Sequence, residues 1–132
     1  MAYQHTGRRR TFTVDGAPTT PVGANLIVIV STVNQGAVAL STANAQPFAG
    51  VTGEPSDSDG NVAVQIDDIC QIIAGATITA GQQVASNAIG QAVPIVPNTT
   101  GAIVAQVVGT AVTNATSGNL VDVLINPELT RL

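Results

Sequence analysis

Side chains that could carry catalysis are few in this chain and lie far apart in the sequence. His5 is the one histidine and belongs to a polar N-terminal segment, and lysine is absent. A serine or cysteine nucleophile needs an imidazole beside it, and a P-loop needs a lysine after its glycine-rich turn. The sequence therefore predicts no catalytic residues, no cofactor and no enzymatic activity.

The remaining chemical groups favour structural roles. Asp67 and Asp68 are the one adjacent pair of carboxylates, and they fall between two predicted strands. Because neighbouring strand residues point to opposite faces, a turn or strand end is favoured over a paired acid and base. Cys70 is the only cysteine, which excludes an internal disulfide. Its apolar neighbours predict a buried, unreactive thiol.

The tract at residues 57–61 combines Asp57, Asp59 and Asn61 with a glycine, as calcium loops do. An EF-hand would place an acidic residue two positions before Asp57, where Pro55 stands, and a helix on each side. A polar hairpin loop is therefore favoured. We expect no metal site.

Charge is distributed unevenly along the chain. Arg8, Arg9 and Arg10 are three of its four cations, and the rest of the chain carries Arg131 against eight acidic residues. An acidic body without basic aromatic stripes argues against a nucleic-acid partner. No apolar run approaches the roughly 20 residues of a membrane span, so no membrane partner is expected either. The three arginines fit an acidic protein surface or a solvated tail.

The hydrophobic pattern predicts an all-β fold. From residue 11 onward, short β-branched segments alternate with tracts rich in Gly, Pro and Asn, which is typical of a small sandwich or barrel of short antiparallel strands. The predicted strands cover residues 11–14, 26–30, 37–40, 48–52, 62–66, 69–73, 83–86, 92–95, 103–112 and 120–125.

The 132 residues fit one domain with two flanking segments. Residues 1–12 are expected to form a flexible basic arm, and residues 13–126 the all-β domain. Pro127 should stop the last strand and leave residues 127–132 as a tail whose leucines could pack on a neighbour. With only three aromatic residues, the core must consist of small aliphatic side chains, a condition under which oligomerisation helps stability.

Several segments, taken in order, resemble the head-decoration (capsid cement) proteins of tailed bacteriophages. They are a Gly-Val strand at residues 48–52, the run 69–84 that ends in Ala-Gly-x-x-Val, and then residues 90–93, 103–111 and 120–125. Together they span most of the predicted β domain.

The resemblance implies a structural protein of the virion and no enzyme. Members of that family bind the outer surface of the expanded capsid, commonly as homotrimers, and stabilise contacts between subunits of the major capsid protein. Because the family's N-terminal segment often contacts the capsid, this role would fall on His5, Arg8, Arg9, Arg10 and Phe12. The expected location is the outer capsid surface, after synthesis in the host cytoplasm.

Two other classes remain open from the sequence. A β-rich domain of a phage or bacterial surface fibre or adhesin shares the Thr- and Asn-rich strands, although sugar binders usually present aromatic platforms. Thr77-Ile78-Thr79 faintly suggests a β-solenoid, but a solenoid needs a short regular repeat, which this chain lacks.

Overall fold

The computed structural model describes residues 8–16, 21–44, 46–96 and 104–131, with the backbone alone at Arg131. These residues form strands and no helix, which confirms the all-β prediction. No helix in the described ranges is therefore long and apolar enough to cross a membrane. The strands are β1 (Arg9–Val14), β2 (Ile27–Val30), β3 (Ala37–Leu40), β4 (Phe48–Thr52), β5 (Asn61–Gln65), β6 (Ile69–Ile73), β7 (Gln83–Ser86), β8 (Ala92–Ile95), β9 (Val104–Ala111) and β10 (Leu120–Arg131).

The strands form two units that follow each other along the chain. β1 to β5 make a closed barrel in the order β1-β3-β2-β4-β5, in which β1 runs parallel to β3 and antiparallel to β5. β6 to β10 make a sheet in the order β6-β10-β9-β7-β8. A parallel bridge between Ala74 and Ala92 draws the two ends of this sheet together. The fold is thus a small barrel packed on a curled sheet.

Two hydrophobic cores stabilise these units, and β2 and β4 contribute residues to both. The buried residues of the barrel core are all valines, which suits the narrow space inside five strands: Val14, Val22, Val28, Val38, Val62 and Val64. The second core lies between the units and contains Ile72, Val84 and Val121 together with Ile27 and Val51 from the barrel. Because successive strand residues point to opposite faces, Val28 enters the barrel while Ile27 faces the sheet. Since both faces of β2 are packed against a core, all four of its residues are apolar.

The expectation that Pro127 stops the last strand is wrong. β10 continues to Arg131, and its register with β9 shifts between Ile125 and Glu128. Proline lacks an N–H and is tolerated in strands at bulges and free edges. Pro127 lies at the register shift between Ile125 and Glu128. It also lies on a free edge, because β6 pairs with β10 only up to Leu124. The predicted tail is therefore the outer half of a β-ribbon, up to Arg131.

The expectation of a flexible arm up to residue 12 is also wrong for its second half. β1 begins at Arg9 and pairs along its length with β5, from Arg9 opposite Gln65 to Thr13 opposite Asn61. Ladder hydrogen bonds come from the backbone, so polar and charged side chains can occupy an exposed strand face. The sequence pattern predicted only residues 11–14 of this strand, because Arg9 and Arg10 at its start are exposed and carry no hydrophobic signal.

Candidate functional site

The arginines expected to contact a partner lie at one end of the β1–β5 pair. Arg8 immediately precedes β1, and its carbonyl accepts a hydrogen bond from the Ile66 N–H at 3.0 Å. Arg9 and Arg10 stand opposite Gln65 and Val64. We call this end of the barrel, with its exposed arginines, the arginine end.

Arg8 is held at the arginine end by Asp67. Its Nε donates to Asp67 Oδ2 at 2.8 Å, and its backbone N–H donates to Oδ1 at 2.7 Å. The side-chain hydrogen bond from Arg8, followed by the backbone one, lowers the pKa of Asp67 below its usual value of 3.8. The Arg8 side chain is nevertheless 79% exposed, so this pair orients the chain more than it stabilises it.

Asp67 is positioned by the turn between β5 and β6. The buried Gln65 donates through Nε2 to the carbonyls of Asp67 at 2.9 Å and Ile69 at 3.1 Å. Asp68 adopts a φ of 65°, a left-handed conformation that Asp tolerates better than most residues. Its carbonyl accepts from the Ile125 N–H, which ties the turn to β10. The predicted turn at Asp67-Asp68 is therefore confirmed, and it fixes one carboxylate against Arg8.

The five residues predicted to contact a partner do not share one environment. Arg9 and Arg10 are exposed, and no ion pair joins either to another described residue. Phe12 is half-buried and packs against the valine core of the barrel, so its side chain anchors β1. His5 lies outside the described residues. Among the arginines whose side chains the structure describes, Arg9 and Arg10 are thus the two without an ion pair.

Acidic residues gather at the opposite end of the β1–β5 pair. Asp15 follows β1, and Asp57 and Asp59 lie in the loop that leads into β5. The described residues place no cation at this end. We call it the acidic end. Sequence analysis missed this grouping because it depends on which strands pair, although each residue visibly stood next to a predicted strand.

The acidic loop has a defined shape. Asp57 Oδ1 accepts hydrogen bonds from the N–H groups of Asp59 at 3.0 Å and Asn61 at 2.9 Å. Gly60 takes a φ of 82°, which the tight return into β5 requires. Asp57 therefore stabilises a polar hairpin loop, as predicted, while Glu54 and Asp59 direct exposed carboxylates outward.

The remaining candidate features are the single cysteine, a possible metal site and a surface groove. Cys70 is buried in the second core, and burial raises the pKa of its thiol to about 12. The described residues contain no group of three His, Cys, Asp or Glu side chains that could hold a metal ion. An open groove of about 450 Å³ is lined mainly by threonine and asparagine side chains from the bridged segments 77–79 and 114–116 and from Asn119. Three of its polar side chains are already engaged: Asn114 accepts from the Ala80 N–H, and Asn119 donates to Thr116.

Comparisons with known proteins find a solved structure with a similar fold. No protein-family model and no curated protein matches this chain. A solved structure does match, namely the crystal structure of the head fiber gp8.5 N base in bacteriophage phi29. The likeness is one of fold. It extends over 95% of this chain and 97% of that chain, with a TM-score of 0.63 and 23% sequence identity. The match thus includes both the barrel and the sheet.

Proposed function

We propose that the chain is a structural protein of a phage virion that binds the outer surface of the expanded capsid. There it stabilises contacts between subunits of the major capsid protein. The observation that carries the proposal is the fold shared with the base of a phage head fibre over 95% of the chain. The ordered resemblance of several strands to head-decoration proteins supports it independently. Fold alone does not fix function, so binding must be measured directly.

The composition suits a protein that acts by attachment. Both cores consist of small aliphatic side chains, and the chain bears few charges. We propose that copies assemble as homotrimers, since association removes further apolar surface from water. Many weak contacts repeated over a lattice then act together. A protein that binds only the expanded capsid stabilises that state by mass action.

The test is cosedimentation of the purified chain with expanded and unexpanded capsids from the same phage. We expect saturable binding to the expanded form, at a fixed number of copies per capsid subunit, and little binding to the unexpanded form. Equal binding to both forms would contradict selective attachment. Absence of binding to either would refute the proposed function.

A second candidate is the base domain of a surface fibre or adhesin. The specific observation in its favour is that the similar structure is named as the N base of a head fibre. In this case the chain would attach a longer appendage and leave capsid stability unchanged. Binding to capsids without any rise in their thermal stability would favour this candidate.

A further inference from the structure

The sheet unit is covered by the barrel on one face only. Val121 and Val123 of β10 are fully buried in the second core, on the side of the barrel. Because successive side chains of a strand point to opposite faces, Leu120, Asp122 and Leu124 lie on the other face of the sheet. We call the face that carries these three residues the outer sheet face.

Apolar pairs stand on both sides of Asp122 along the outer sheet face. Leu120 lies opposite Ile73 of β6, and Leu124 lies opposite Ile69. The two leucines are 44% and 47% exposed, and both isoleucines are half-buried. An antiparallel sheet that covers a core with one face commonly carries polar residues on the other. Apolar residues gathered on the open face are therefore typical of a contact surface.

A single carboxylate lies among these apolar side chains. Asp122 is only 7% exposed, and Val112, whose N–H donates to the Asp122 carbonyl at 2.7 Å, adjoins it from the side of β9. Within the described ranges no group donates a hydrogen bond to the Asp122 carboxylate, and no cation forms an ion pair with it. In those ranges the one fully buried side-chain oxygen without a hydrogen bond belongs to Gln83, so the carboxylate oxygens of Asp122 still reach solvent. A largely buried carboxylate without a partner is unfavourable, which points to a partner outside the chain.

A cation on a neighbouring protein would complete this site. Arginine and lysine form strong charge-assisted hydrogen bonds with a carboxylate, and apolar side chains around such a pair exclude water from it. A second copy packed face to face would instead bring two Asp122 carboxylates together. We propose that the outer sheet face docks on the major capsid protein, where one arginine or lysine among apolar residues pairs with Asp122. The inference rests on the proposed function and names the surface that it uses.

The first test is binding of an Asp122→Asn variant to expanded capsids, measured by cosedimentation over a range of concentrations. Asparagine has nearly the same shape and keeps both backbone hydrogen bonds of Asp122, to Thr113 and Val112, but it carries no charge. We expect the Kd to rise at least about thirtyfold, because one partner of an enclosed charge pair is lost. Asp59→Asn is the matched control. It removes an exposed carboxylate from the barrel, and its Kd should equal that of the native chain.

Stability of the isolated chain separates docking from a role in the fold. Because the described residues give the Asp122 carboxylate no partner, Asp122→Asn should keep or raise the urea midpoint of unfolding. A lower midpoint together with weaker capsid binding would mean that the carboxylate serves the fold. That result would overturn its assignment to the capsid.

A cysteine footprint tests the same surface without any change at Asp122. Leu124→Cys places a thiol on the outer sheet face, and Val33→Cys places one in the loop between β2 and β3, at a site that is 81% exposed. The native Cys70 is buried and should not react. A maleimide should label both new thiols in the free chain. With capsid sites in excess, position 124 should be protected and position 33 should stay reactive.

Two results would overturn the inference and leave the proposed function intact: equal capsid binding by the native and Asp122→Asn chains, or a thiol at position 124 that capsids do not protect. Self-association of the native chain without capsids, abolished by Asp122→Asn, would assign the outer sheet face to a second copy instead. A native chain that binds no capsids would refute the proposed function and this docking site together.

Discussion

Replacing Gly109 by alanine tests how closely β9 and β10 approach each other. Gly109 lies opposite Ile125, just before the bulge, and a Cβ there would collide with the Leu124 carbonyl oxygen and lie 2.9 Å from its carbon. Backbone atoms cannot rotate away, so the ladder must open locally. Overpacking costs about 1–3 kcal/mol, and one or two weakened hydrogen bonds add about 1 kcal/mol each. We expect Gly109→Ala to lower the free energy of unfolding by about 2–5 kcal/mol.

The assay is thermal and urea unfolding followed by circular dichroism. For a chain of this size the expected loss corresponds to a fall in Tm of roughly 8–15 °C. Gly53→Ala is the matched control, because a Cβ at Gly53 meets nothing within 4 Å. That change should be neutral or stabilise the fold by up to about 1 kcal/mol, since it restricts the unfolded chain. Equal stability of the two variants would refute the inferred close approach.

Two further predictions follow from ionisable groups. Because burial raises the pKa of the Cys70 thiol to about 12, a disulfide reagent at about pH 8 should label Cys70 slowly in the folded chain and rapidly in urea; rapid labelling of the folded chain would contradict its burial. Hydrogen bonds from Ser31 and Arg8 lower the folded pKa values of Asp15 and Asp67 below 3.8. Their stabilising contribution is therefore present above the unfolded pKa and lost as pH falls through the lower folded values. The urea midpoint should decline below about pH 4, and a midpoint that stays level in acid would refute it.

Much of the fold could be predicted because buried residues recur at every second position along a strand. Val62 and Val64 alternate with half-buried residues, and each points into the barrel. Every predicted strand corresponds to an observed one, and most boundaries agree within one residue. The hydrophobic pattern did not predict the parts of strands whose side chains are exposed or that contain a proline. Arg9 and Arg10 are exposed members of β1, and β10 passes through Pro127 at a bulge.

The arrangement of the candidate surfaces could not be predicted to the same degree. The triple arginine was visible in the sequence, but its ion pair with Asp67 depends on the turn after β5. The acidic end depends on β1 pairing with β5 and not only with β3. Such pairings between distant segments are set by the closure of the barrel, which local periodicity does not encode. The sequence therefore located the charged residues, and the strand pairing determined which of them lie together.

The most direct test of the central claim is the thermal stability of expanded capsids lacking this protein, measured as the purified chain is added back. A ligand that binds only one state stabilises it by about 2.7 kcal/mol per site at a concentration one hundred times its Kd. We predict that the capsid melting temperature rises with added chain and levels off when the lattice sites are full. A melting temperature that stays constant while the chain is bound would contradict a stabilising role.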